Sequence, residues 1–375
     1  MSADVAAPSQ TLTEDQRFMA LALTLGRRGL GQTWPNPAVG AVIVKDGVIV
    51  ARGWTQPGGR PHAEVEALRR GGEAARGATL YVTLEPCSHY GKSPPCADAI
   101  VAAGLARVFS AIEDPNPEVA GQGHARLRSA GIAVDVGIGA DEARRDHAGH
   151  IRRMCDGRPQ IMLKLAISAD GKAGAAGRTT VAITGAETRD RVHLLRAQSD
   201  AIMVGIGTAL ADDPLLTCRL PGMEKRSPVR VVLDTKLRLP RVSRLVRTAN
   251  EVALWVIAGA DASSAAEKLL VGDGVVVLRA AQGGNGLELT AVLKLLAERG
   301  ITRLMVEGGP TLAGALVAAD LVDEAVLFHS PEIVGADGID ALNSLPLAAL
   351  TQSPGINRVT TEPVGADRCD IFGRR

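Results

Sequence analysis

The sequence predicts an α/β protein made of two consecutive layered domains. Short β-branched apolar runs alternate with amphipathic helical stretches along most of the chain. The alternation fades between about Asp141 and Pro159, where Asp141, Glu142, Arg144, Arg145, Asp146, Arg152 and Arg153 cluster, and then resumes. A length of 375 residues also exceeds one domain of ~100–200 residues. The expected division is a first domain over 1–146, a short helix and linker over 147–159, and a second domain over 160–375.

In the first series, Thr13 and Gln16 fit a capping box, and Phe18, Met19, Leu21, Ala22 and Leu25 give an apolar face, so a helix is expected from Thr13 to Leu30. Pro35-Asn36-Pro37 breaks it. Ala38 to Val44 reads as a strand, Asp46-Gly47 as a two-residue hairpin turn, and Val48 to Ala51 as the returning strand. His62 to Arg70 is helical and ends at Gly71-Gly72. A strand over Thr79 to Leu84, a helix over Pro95 to Ala103 and a strand over Arg107 to Ile112 follow. A helix over Ala125 to Ala130 and a strand over Ile132 to Val136 complete the series.

The second series has expected strands at Ile161 to Ile167, Ala201 to Val204, Val229 to Asp234, Val252 to Ile257, Val275 to Leu278, Arg303 to Glu307 and Glu324 to His329. Helices are expected at Ala186 to Ala197, Leu289 to Arg299 and Thr311 to Ala319. No internal repeat links the two halves, and Gly283 to Gly286 is a short turn.

Composition narrows the function. Apolar residues make up 46% but aromatics only 2%, and the net charge is +1. A polynucleotide binder needs a basic surface and, for single strands, aromatic stacking platforms; neither is evident, whereas one small phosphorylated ligand needs only a local Lys/Arg group. The polar stretch Met1 to Gln10 has no apolar signal-peptide core, and no run of about 18 apolar residues is present, so a cytoplasmic protein without a membrane span is expected. Cys87 and Cys96 are the close cysteine pair among five; Cys155, Cys218 and Cys369 read as ordinary thiols.

The chemistry concentrates in His62-Ala63-Glu64, read with Pro86-Cys87 and Cys96. One imidazole and two thiolates supply the three protein ligands of a catalytic zinc ion, whose fourth position is left for water. Such a metal lowers the pKa of bound water to near neutrality. Glu64, two residues from the ligand His62, is placed to take the water's proton and pass it to a departing nitrogen. The pattern is the zinc nucleobase deaminase signature with a longer, eight-residue gap between the cysteines. A structural zinc site would show a fourth protein ligand, for which His89 is the candidate. Glu85 reads as a structural carboxylate or a contact to the substrate edge.

Beyond the motif, Thr33-Trp34-Pro35-Asn36-Pro37 with Val39-Gly40, Pro61-His62-Ala63-Glu64-Val65, Tyr81 to His89, Pro94-Pro95-Cys96 and Asp114-Pro115-Asn116-Pro117 resemble the bifunctional riboflavin-biosynthesis deaminase/reductase family. The second half agrees: Leu163 to Ala166 with Ser168 and Asp170-Gly171, Leu195-Arg196-Ala197, Gly207-Thr208 with Asp212-Asp213-Pro214 and Leu216-Thr217, and Val306 to Leu312 are similar. The resemblance covers nearly the whole chain, in family order.

It implies a cytidine-deaminase-like three-layer domain followed by a dihydrofolate-reductase-like domain. The first would use Zn2+ to remove the 2-amino group of 2,5-diamino-6-(5-phosphoribosylamino)pyrimidin-4-one. The second would use NADPH to reduce the ribosyl group to ribityl. Carried over by position, Asn36, His89 and Lys92 would hold the deaminase substrate. Thr180, Arg196, Leu216, Arg219 and Glu307 would hold the reductase substrate, the arginines suiting its phosphate. Ala166, Thr208, Asp212, Thr235, Gly309, Pro310, Thr311 and Leu312 would contact the cofactor, and Lys164 or Asp212 would donate a proton. The partners implied are a small phosphorylated pyrimidine and further copies of the chain, with no nucleic acid or membrane.

Three departures stand out. Thr55 replaces a common histidine, Val181-Ala182-Ile183-Thr184 lacks the usual Trp, and His147 to His150 differs from the usual Leu-Asn and Phe pattern. They motivate one rival, an active deaminase with a weak or diverged reductase. Another rival is an RNA base deaminase with a C-terminal binding module, which the charge and aromatic content oppose. A third is a zinc-stabilised scaffold with no activity.

Overall fold

The computed structural model describes residues 12–91, 93–175, 183–284 and 286–374. Lys92, Thr180 and Ala182 therefore lie outside the described residues. The chain divides into two compact units, one of Met1–Gly29 with Asn36–Ile151 and one of Leu30–Pro35 with Arg152–Arg375.

The first unit is built on a five-stranded sheet of β1 (Gly40–Lys45), β2 (Val48–Trp54), β3 (Thr79–Val82), β4 (Arg107–Ser110) and β5 (Ala133–Val136), in the order β2-β1-β3-β4-β5. β1 runs antiparallel to both neighbours, and β3, β4 and β5 are parallel. The β1–β2 turn has Asp46 at φ 51° and Gly47 at φ 74°. Two successive positive φ values define the hairpin turn that Asp-Gly favours. Helix α1 (Glu14–Gly26) begins with the reciprocal Thr13–Gln16 capping box and packs on β1 and β3. α2 (Ala63–Gly71), α3 (Cys96–Ala103) and α4 (Gln122–Ser129) pack in sequence beside one another, and α5 (Ala140–Asp146) packs on α1, so the sheet lies between two helical layers.

The charged stretch expected to hold a short helix and linker contains α5 and a second helix, α6 (Ala148–Asp156). Its charges sit at helical spacing: Arg144 pairs with Asp141 at 3.0 Å and Arg152 with Asp156 at 2.7 Å. The two units meet in sequence at Ile151/Arg152, within α6.

The second unit is built on a nine-stranded sheet. From one edge the strands are Val276–Ala280, Leu254–Gly259, Val229–Leu233, Ala201–Gly205, Arg303–Val306, Gln160–Ile167, Glu324–His329, Asp367–Arg374 and Ile356–Val364. The first seven are parallel; the last two join antiparallel. Parallel strands buried on both faces need continuous apolar sequence, and Ala201 to Val204 and Met305–Val306 are fully buried. Arg303–Val306 is inserted between two strands that precede it in sequence, so the strand order reverses there. A crevice at the carboxyl ends of such strands is the usual ligand site of an open α/β sheet.

Candidate active sites

In the first unit the zinc-type ligands arrive from three elements. His62 is the N-cap of α2, Cys87 follows β3 after a short turn, and Cys96 is the first residue of α3. Their ligand atoms all lie within 4.8 Å of one another. His62 Nδ1 is 3.3 Å from Cys96 Sγ and 3.7 Å from Cys87 Sγ, and the Cys96 N–H donates to Cys87 Sγ at 3.3 Å. The hydrogen bond with Cys96 lowers the Cys87 pKa to about 4, burial opposing and His62 assisting. The same hydrogen bond pushes the Cys96 thiol up, so the two sulfurs share one proton, which a metal ion would displace; the donor set itself, one imidazole and two sulfurs within reach of one ion, fits zinc. Glu64, on the first turn of α2, is buried.

Asn36 Nδ2 donates to the Gly59 carbonyl at 2.8 Å and lies 3.4 Å from His62 Nε2. His89 is exposed in the loop between the cysteines. Arg60, which the sequence reading passed over, reaches that loop and hydrogen-bonds Ser93. Thr55 is buried, and its hydroxyl accepts from the Val39 N–H at 3.0 Å.

Glu85 is structural. Its buried carboxylate accepts from the N–H groups of Asp114 (3.1 Å), Gly121 (2.9 Å), Gly123 (2.8 Å) and His124 (3.2 Å). It thereby ties the segment carrying Cys87 to the loop before α4 and to the first turn of that helix. The approach is close: a Cβ on Gly123 would stand 2.0 Å from the Pro86 carbonyl oxygen.

In the second unit a cavity of about 660 Å³ opens beside the carboxyl ends of the strands Ala201–Gly205 and Arg303–Val306 and the strand Gln160–Ile167. Lys164, Ala166, Arg196, Thr208, Asp212, Arg219, Glu307, Gly309, Pro310, Thr311 and Leu312 line it. Leu216 does not; its side chain is buried in the core, on backbone at φ 56°. Thr235, just past the strand Val229–Leu233, is also absent from the lining.

Glu307 organises the charges. It follows the strand Arg303–Val306, and its backbone N–H donates to the Met203 carbonyl at 3.2 Å. Arg196, on α7 (Ala186–Ala197), grips its carboxylate through Nε and Nη2, each at 2.9 Å, and Lys164 Nζ stands 3.5 Å away. Burial raises the Glu307 pKa, but Lys164 and Arg196 together outweigh it and the net shift is downward. Arg219 is exposed; burial of part of its side chain and repulsion by Arg196 lower its pKa.

Thr208 lies on a helix the sequence pattern did not reveal, α8 (Ile206–Asp212), and its hydroxyl accepts from the Gly309 N–H at 2.9 Å. Gly309 caps the helix Pro310–Ala318, with Pro310 at its first position. A Cβ on Gly309 would come within 2.9 Å of Thr208 Oγ1. Arg189 and His193 also line the cavity and were missed. Their spacing of seven and three residues before Arg196 was the available signal.

Comparison with known proteins accords with both halves. Residues 12–112 match the cytidine and deoxycytidylate deaminase zinc-binding region, and residues 159–359 match the RibD C-terminal domain. The riboflavin biosynthesis protein RibD of Escherichia coli is 43% identical, with 95% of this chain and 98% of that protein covered. The chain belongs to the RibD family. RibD of Aquifex aeolicus is 40% identical over 96% of this chain and 98% of its own length. The Acinetobacter baumannii RibD structure superposes with a TM-score of 0.85 at 35% identity, covering 96% of this chain and 99% of that one. The diaminohydroxyphosphoribosylaminopyrimidine deaminase/5-amino-6-(5-phosphoribosylamino)uracil reductase of Thermotoga maritima gives 0.83 at 34%, covering 96% and 99%.

As a RibD-family protein, the chain is a bifunctional enzyme of riboflavin biosynthesis, with a zinc-dependent deaminase domain of cytidine-deaminase type and an NADPH-dependent reductase domain of dihydrofolate-reductase type. Among the described residues no helix is long and apolar enough to cross a membrane.

Proposed function

We propose that the first unit hydrolyses the 2-amino group of 2,5-diamino-6-(5-phosphoribosylamino)pyrimidin-4-one, and that the second then reduces the ribosyl group of the product to ribityl. The observation that carries the reading is the convergence of His62, Cys87 and Cys96 within 4.8 Å beside buried Glu64, in a chain whose other unit holds a cation-lined cavity.

For the deamination, His62, Cys87 and Cys96 would hold zinc, which when bound would supply the Lewis acidity that lowers the pKa of water. Glu64 accepts the proton that the attacking water gives up and returns one to the amino nitrogen, which leaves as ammonia as C2 becomes a carbonyl. Asn36 orients the pyrimidine, and His89 and Lys92 hold its substituents.

For the reduction, NADPH when bound would supply the hydride that C1′ of the ring-opened ribosyl group takes up. Arg219 anchors the phosphate, because most of the Arg196 fork is already engaged: Nε and Nη2 on Glu307 and Nη1 on the Thr217 carbonyl at 3.0 Å. Arg196 adds its remaining N–H groups. Lys164, steered by Glu307, provides the balancing proton to the nitrogen on C1′; Asp212, exposed on the cavity wall, is the second candidate donor. The cofactor would lie along Ala166, Thr208 and the turn Gly309 to Leu312. Cys155, Cys218 and Cys369 are free thiols, Cys155 exposed, which suits a reducing cytoplasm.

A chelator tests the division of labour. Stripping the metal should abolish ammonia release from the diaminopyrimidine and leave NADPH oxidation with the deaminated intermediate intact; zinc should restore the first activity. Equal loss of both activities would contradict the reading.

A further inference from the structure

One imidazole in the reductase cavity has no part in the mechanism above. His193 lies on the face of α7 that carries Arg189, Val192 and Arg196, all of which line the cavity. Its Nδ1 is 3.1 Å from the Thr217 carbonyl oxygen, which also accepts from Arg196 Nη1 at 3.0 Å. A carbonyl oxygen only accepts, so Nδ1 carries the proton and Nε2 of the neutral ring carries a lone pair. The neutral form is favoured: burial first, then the charges of Arg196 and Arg219, lower the His193 pKa, against weaker opposition from Thr217 and Glu307. Beside two guanidinium groups that can only donate, this nitrogen is an uncharged acceptor. The Glu307 carboxylate, an acceptor of the same neighbourhood, is held by Arg196 and Lys164.

We infer that His193 is a specificity-determining residue of the reduction step, its Nε2 accepting a hydrogen bond from a hydroxyl of the ribosyl chain. The inference rests on the proposed phosphoribosyl substrate. That substrate brings an anion for Arg219 and, on the adjoining carbons, hydroxyl donors for which arginines offer no acceptor. A site built to pair with a hydroxyl leaves its own polar group unpaired when that hydroxyl is missing, which is how such sites discriminate.

The test uses the full chain and the ribityl phosphate product as an inhibitor of NADPH oxidation, with product analogues lacking the hydroxyl at C2′, C3′ or C4′. In wild type, one of the three should bind about tenfold more weakly than the parent, the loss of one hydrogen bond. His193→Asn keeps a donor for the Thr217 carbonyl but has nothing at the Nε2 position. It should bind the parent about tenfold more weakly and be indifferent to that same hydroxyl. His193→Gln, whose amide oxygen reaches the Nε2 position, should recover most of the affinity, and ammonia release should be unchanged in both variants. The inference is overturned if His193→Asn binds the parent like wild type, since clamping Thr217 would then be the whole role. It is equally overturned if every deoxy analogue loses as much in the variant as in wild type. Failure of the substrate reading looks different: wild type itself would not oxidise NADPH with the deaminated phosphoribosyl intermediate, and the inference would fall with it.

Discussion

Glu64 and Glu307 are carboxylates in opposite surroundings. Burial raises the pKa of Glu64, with His62 opposing, whereas two cations at Glu307 overcome its burial and lower the pKa below the ordinary 4.5. A lowered carboxylate pKa stabilises the folded state in full above the unfolded value and loses that contribution as pH falls through the folded value. Glu307→Gln should therefore destabilise the second unit by roughly 3–5 kcal/mol at neutral pH, since Arg196 and Lys164 lose their counter-charge in a largely desolvated site. In thermal unfolding, the gap between wild type and variant should be flat above about pH 5 and shrink below it. A gap that widens on acidification would contradict the assignment. At this scale the sequence was informative where chemistry demands a residue type. His62, Cys87 and Cys96 could be read because zinc accepts few ligand kinds at few spacings. Arg60 could not, because its meaning comes from Ser93, distant in sequence, and Arg189 and His193 offered only their helical spacing to Arg196.

Among the elements, the loop before α4 shows how one side chain can position another. Glu85 gathers four backbone N–H groups one residue before Pro86-Cys87. Glu85→Gln substitutes an amide that accepts through one oxygen only and adds donors facing N–H groups. Zinc affinity should fall by about tenfold or more, as for other residues that orient ligands. Competition with a chromogenic chelator would show this, with NADPH oxidation from the deaminated intermediate unchanged. Unaltered affinity would mean that Cys87 is held without the clamp. The main strands and helices were legible from apolar runs and periodicity. The helix α8 was not: with Gly207 inside it and seven residues in all, it has too little periodic signal. The hairpin Ile356–Val364 with Asp367–Arg374 was missed for another reason. Its outer strand is mostly exposed and includes Pro363, which an edge strand tolerates and a sequence pattern reads as a break.

For the whole molecule, two folds share one chain, and each has its own donor set. The fold class was legible because both units alternate strands and helices. The strand order of the nine-stranded sheet was not, since inserting Arg303–Val306 between earlier strands is a matter of long-range pairing. That insertion places Glu307 beside Lys164 and Arg196. The central claim is that the zinc-type site performs the first of two consecutive steps and the cavity of the second unit performs the other. The most direct measurement is NADPH oxidation by Glu64→Gln, started from either the diaminopyrimidine substrate or the deaminated intermediate. The account predicts a rate from the diaminopyrimidine reduced by about 10²–10⁴-fold, the usual contribution of a general acid–base, and an undiminished rate from the intermediate. Oxidation from the diaminopyrimidine at the wild-type rate would contradict it, because reduction would then not depend on the chemistry assigned to Glu64.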